Sequence, residues 1–115
     1  RSKVTEINVD NYGITSMQGI EYFPNLSVLM CDNNKIRDLD VSSNLQLSVL
    51  TFNGNLVSEI DLSYNTNLTE LYCKNNQLTS LDVSNNPELI ALDCSNNMIT
   101  DLNTNKNPKL EILYF

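Results

Sequence analysis

Histidine is absent from this 115-residue chain, and glycine occurs only three times. Without histidine the commonest general base near neutral pH is missing. Without a glycine-rich loop no phosphate cradle is encoded. Neither a Ser/Lys pairing nor a metal-ligand spacing takes their place, so the chain reads as non-enzymatic, with no cofactor. No apolar run approaches the roughly 20 residues of a spanning helix, which argues against membrane insertion, and no charged-then-apolar leader opens the chain. It begins at Arg1 without a methionine, as expected of a piece processed or cut from something longer. Basic residues are few and scattered, 7 against 14 acidic ones for a net charge of -7. A phosphate backbone would be repelled, so nucleic acid is not an expected partner. The three cysteines, odd in number and evenly spaced, do not resemble the disulfide framework of a small secreted fold.

Asparagine, by contrast, is abundant, at 19 of the 115 residues. Its spacing gives the reason. Aligned at a period of 21, the chain reads LSVLMCDNNKIRDLDVSSNLQ, LSVLTFNGNLVSEIDLSYNTN, LTELYCKNNQLTSLDVSNNPE, LIALDCSNNMITDLNTNKNPK and an incomplete LEILYF. An opening VTEINVDNYGITSMQGIEYFPN fits with one extra residue. Apolar columns recur, as in Leu29, Leu50, Leu71, Leu92 and Leu113. A unit this short cannot bury its own apolar face, so each must stack on its neighbours.

Around the cysteine the residues alternate, as in Glu70-Leu71-Tyr72-Cys73-Lys74, which predicts a short strand with Leu71 and Cys73 inward. Repetition makes a parallel sheet with strands about 4.8 Å apart, and such crossovers are right-handed. Cys31, Cys73 and Cys94 then share an inward column with Val9, Phe52 and Phe115, as small apolar fillers. Cys73 and Cys94 come near disulfide distance, but in-register parallel strands disfavour the bridging torsion. A buried thiol without a histidine to activate it is a poor nucleophile. Asn34, Asn55, Asn76 and Asn97 close the strand, with Asn44, Asn65, Asn86 and Asn107 ten residues later. An inward asparagine at a turn bonds orphaned backbone groups with both ends of its amide, so these residues are read as scaffolding.

The string LTELYCKNNQLTSLDVSNN, Leu68 to Asn86, resembles a leucine-rich repeat. The period and the phrase ITSMQGIEYFPNLSVL, Ile14 to Leu29, resemble the internalin-type repeats of bacterial surface proteins. The cysteine column and LDVSNNPEL resemble the cysteine-ladder subgroup of that family. The resemblance implies a right-handed solenoid of the α/β horseshoe class, mostly β, with five to six coils of 21–22 residues. Its parallel sheet would form the concave face and an irregular or 3-10 return the convex one. It also implies contact with protein or glycan on another cell, and a secreted or cell-surface bacterial setting. A single domain spans 1–115, with repeats at about 4–25, 26–46, 47–67, 68–88, 89–109 and a partial 110–115. Phe52 interrupts the cysteine column, Tyr12 replaces the first asparagine, and Thr104 stands at an apolar position. No terminal cap is recognisable. The end near Leu110, Leu113 and Phe115 therefore predicts a homodimer, or cover by another chain.

On the concave face the expected binding residues are Val28, Met30, Val49, Thr51, Glu70, Tyr72, Lys74, Asp93, Ile112 and Tyr114, centred on Met30, Thr51 and Tyr72. Interface centres favour such tyrosine- and methionine-bearing surfaces. The alternative is a structural spacer that projects another domain and has no ligand of its own. Asp40, Asp61 and Asp82, with Asn103 in the fourth copy, are expected to bond turn amides beside Ser42, Ser63 and Ser84 rather than a metal. Asn25-Leu-Ser and Asn67-Leu-Thr match the glycosylation pattern at the frequency the composition alone provides.

Overall fold

The computed structural model describes residues 2–115. Strands β1 (Glu6–Asn8), β2 (Val28–Met30), β3 (Val49–Thr51), β4 (Glu70–Tyr72), β5 (Ala91–Asp93) and β6 (Ile112–Tyr114) form one sheet in chain order. Every pairing is parallel, and the register runs from Ile7 through Leu29, Leu50, Leu71 and Leu92 to Leu113. The return path is made of turns, with one 3-10 helix at Ile20–Tyr22. The result is a mostly β leucine-rich repeat solenoid, 37 × 26 × 18 Å. Among the described residues no helix is long and apolar enough to cross a membrane.

The strands are short because each has a single inward leucine before the chain must turn. Leu29, Leu50, Leu71 and Leu92 are 0% exposed, as are Cys31, Phe52 and Cys73 beside them. Ile36, Val57 and Leu78 fill the return side of the same core. Full burial of one such leucine is worth about 1.5–3 kcal/mol. No coil keeps that gain without its neighbours.

The turn after each strand needs a left-handed residue, and the sequence supplies one at each step. Asn11, Asn33, Asn75 and Asn96 have φ of 62°, 57°, 59° and 54°, and Gly54 takes the same place at 67°. Asparagine and glycine tolerate this region best. At Gly54 a Cβ would also lie 2.5 Å from Asn33 Oδ1. This column accounts for part of the asparagine excess that the ladders leave over.

The next residue along is the inward amide. Asn76 Oδ1 accepts from Val57 N at 3.1 Å, while its Nδ2 donates to Phe52 O at 2.9 Å, Cys73 O at 3.2 Å and Lys74 O at 3.3 Å. Asn34, Asn55 and Asn97 repeat the arrangement between their own coils. The second asparagine column departs from the expectation that both ends of the amide are used. Asn44, Asn65, Asn86 and Asn107 donate Nδ2 to carbonyls of the preceding coil, but each Oδ1 is buried without a protein partner. At this corner each coil's own N–H groups bond within the turn, as Asn65 N does to Leu62 O and Leu68 N to Asn65 O. None of these N–H groups turns to the amide oxygen.

The acidic column sits at the outer turns. The Oδ1 atoms of Asp40, Asp61 and Asp82 each accept the backbone N at 2.9 Å and the hydroxyl at 2.6 Å of Ser42, Ser63 and Ser84. Asn103 makes the same turn with a neutral oxygen, accepting Asn105 N at 2.8 Å. Hydroxyl and then backbone donation lower all three aspartate pKa values below the ordinary 3.8, although Asp40 and Asp82 oppose the shift at Asp61. At the last strand, Leu113 and Phe115 are 43% and 58% exposed, in columns that are fully buried in the middle of the stack.

Two outcomes are expected. Asn76→Leu strands several buried backbone groups at about 1–3 kcal/mol each, so in urea unfolding it should cost more than Asn65→Leu, whose oxygen has no partner to lose. The reverse order would remove the two-ended amide as the chief tie. The lowered aspartate values stabilise the fold at pH above the ordinary 3.8, and that stabilisation disappears as pH falls through the folded values. Asp61→Asn, which keeps the turn acceptor as Asn103 does, should flatten the acid limb of a plot of urea midpoint against pH.

Candidate interaction face

The strand register lines up the side chains that point away from the core. One row runs Glu6, Val28, Val49, Glu70, Ala91, Ile112; the next runs Asn8, Met30, Thr51, Tyr72, Asp93, Tyr114. Val28 and Val49 are therefore cross-strand neighbours, with Met30 two residues along on the same face. Val28, Met30, Val49, Glu70, Tyr72 and Asp93 are half-buried, and Lys74, Ile112 and Tyr114 are exposed.

Thr51 differs from its expected place at the centre of an exposed patch. It is only 9% exposed, flanked by the longer Met30 and Tyr72, and its hydroxyl donates to Asp32 Oδ1. Its short side chain lies below the level of its neighbours and is already hydrogen-bonded. The accessible apolar surface around it is Val28, Met30 and Val49, with Tyr72 at its side.

Hydrogen bonds along this face fix the side chains. Tyr72 Oη donates to Glu70 Oε1 at 2.8 Å, and this bond raises the phenol pKa above its ordinary value. Asp93 Oδ1 accepts Ser95 N at 3.0 Å and Ser95 Oγ at 2.6 Å. A side-chain ladder follows the strand ends: Asp10 Oδ1 accepts Asp32 N at 2.7 Å, Asp32 Oδ1 accepts Asn53 N at 2.8 Å, and Asn53 Oδ1 accepts Lys74 N at 2.7 Å. A hydroxyl ladder precedes the strands, with Ser27, Ser48 and Thr69 donating to Thr5 O, Ser27 O and Ser48 O at 3.2, 3.1 and 3.0 Å. Neither ladder was expected from the sequence, although the Ser27, Ser48, Thr69 column could be read from it.

The face is acidic. Glu6, Asp10, Asp32, Glu70 and Asp93 carry its charge, and Lys74 is the basic residue among them. The ion pair present among the described residues, Lys109 Nζ to Glu88 Oε1 at 2.5 Å, involves none of these groups. On the return side, Asp38, Asp40, Glu59 and Asp61 line a groove floored by Leu39 and Ile60 beside Tyr64.

The cysteines lie behind the face, in the core, as free thiols. Burial, with a smaller contribution from Asp32, pushes Cys31 up to about 12. Burial and then Asp93 push Cys94 up to about 11, and burial raises Cys73 further still. Thiols so deprotonation-averse pack as apolar groups.

No family model matches the chain, and no curated protein does. Solved structures do. The functional domain of InlJ from Listeria monocytogenes, which includes a cysteine ladder, superposes with a TM-score of 0.91 at 40% identity over 92% of this chain. The internalin InlF of the same species gives 0.91 at 26% identity over 97% of the chain, and internalin C2 gives 0.85 at 24% identity over 92%. The chain spans 24%, 35% and 50% of those three structures, so it corresponds to part of each. Identity, register and the inward cysteines together make the chain a leucine-rich repeat solenoid of the internalin type, a protein-interaction fold.

Proposed function

We propose that the chain is a non-enzymatic recognition module that binds a protein, with glycan as the competing ligand class, through the outer face of its sheet. In the family this is the concave side. One observation carries the reading: Val28, Met30 and Val49 form a contiguous apolar surface on a face that the fold leaves free to be polar. Tyr72, held in place by Glu70, adds a rigid aromatic edge. Secretion or display on a bacterial surface accompanies the reading, on the likeness to the internalin structures. Glu70, Lys74, Asp93, Ile112 and Tyr114 form the remainder of the proposed contact surface.

Labelled protein applied to an epithelial cell monolayer should bind saturably. Met30→Ala with Tyr72→Ala should weaken that binding at least about tenfold, the effect of losing about 1.4 kcal/mol. Trypsin treatment of the cells should abolish it, whereas loss on glycosidase treatment alone would assign the ligand to glycan. Binding unaffected by the double variant would remove this face, and no binding at all would favour the spacer.

A further inference from the structure

The apolar surface is surrounded by negative charge that no ion pair among the described residues neutralises. Glu6 stands beside Val28 in one row, Glu70 beside Val49, and Asp32 two residues beyond Met30. Their hydrogen-bond donors are neutral: Tyr72 for Glu70, Ser95 for Asp93, Thr51 and Asn53 for Asp32. Lys74, the basic side chain at this face, is exposed and forms no ion pair among the described residues. Carboxylates hydrogen-bonded but without cations keep their field, which attracts opposite charge over about a Debye length.

Resting on the recognition reading above, we infer that the partner is a basic protein segment. It places an apolar side chain on Val28, Met30 and Val49, and lysine or arginine against Glu6, Glu70 and Asp93. An anionic glycan or an acidic peptide meets repulsion from the same groups. The half-buried apolar centre with a charged rim matches the anatomy of protein interfaces, where rim charges set partner choice and association rate more than affinity.

The test uses the folded 115-residue chain and three probes: a short blocked peptide of alternating lysine and valine, its glutamate–valine counterpart, and heparin. Binding is read by fluorescence anisotropy. The charge variant is Glu6→Gln with Glu70→Gln and Asp93→Asn. Asp10 and Asp32 are left alone, because they accept N–H groups of the next coil; Asp93 bonds within its own turn, where asparagine keeps the Oδ1 acceptor. The control is Asp38→Asn with Glu59→Gln in the return-side groove.

The lysine peptide should bind, weaken at least about tenfold in the charge variant and in high salt, and be unaffected by the control. Binding of heparin or the glutamate peptide, sensitive to Met30→Ala with Tyr72→Ala, overturns the charge assignment and leaves the face standing. Lysine-peptide binding lost in the groove control but not in the charge variant overturns it in favour of the groove. Absence of lysine-peptide binding at low salt also overturns it. Failure of the face itself is seen separately, as cell binding indifferent to Met30→Ala with Tyr72→Ala.

Discussion

Stacking strands only three residues long creates a problem of backbone satisfaction. Each coil must leave its strand, turn and return beneath a neighbour doing the same, and at the turn several buried N–H and C=O groups point at no regular partner. One buried amide per coil resolves this. Asn55 receives Ile36 N and donates to Cys31 O and Phe52 O, so it joins its own coil to the one before it. The apolar columns supply most of the stabilisation, but they are non-directional. A leucine column alone would tolerate sliding and tilting; an amide with four defined contacts does not. The parallel register follows from that directionality, and every outward row depends on the register.

Much of this was legible in the sequence because a repeat makes structure visible as columns. Leu71, Cys73, Asn76 and Leu78 recur at fixed offsets, and periodicity plus burial logic is enough to place each inward. The internalin-type match, with 40% identity to the cysteine-ladder domain, agrees with that placement. The turn chemistry of Asp40, Asp61 and Asp82 was legible for the same reason, a short acid two residues before a serine.

What escaped the sequence concerns distances between neighbours rather than inward or outward direction. Thr51 points outward as its position requires, yet Met30 and Tyr72 overshadow it and Asp32 takes its hydroxyl. Burial on a flat face depends on the relative size of adjacent side chains, which a column-by-column reading does not compare. The idle oxygens of Asn44, Asn65, Asn86 and Asn107 escaped for a related reason. Their column looks like the Asn34 column, and only the local turn bonds, with Asn44 N given to Val41 O and Leu47 N to Asn44 O, tell the two apart. The left-handed role of Asn33, Asn75 and Asn96 was readable in principle from Gly54, which replaces asparagine in that column alone.

The sheet face couples its fold to its charge unevenly. Asp32 bonds the Asn53 N–H and the Thr51 hydroxyl while contributing to the negative field, so its sequence position answers to stability and to electrostatics together. Among the described residues the Glu70 carboxylate bonds a side chain, the Tyr72 phenol, and Glu6 is an exposed side chain on β1. These groups can vary at little cost to the coil, since an exposed charge–hydroxyl contact contributes far less than a buried backbone bond. The outward side chains of β1 and β4 can therefore change while the ladder through Asp10, Asp32 and Asn53 keeps the strand ends in register. A solenoid with its constraints concentrated at the turns and in the inward columns leaves its outer rows nearly free, and in this chain those rows hold an apolar centre within an acidic rim.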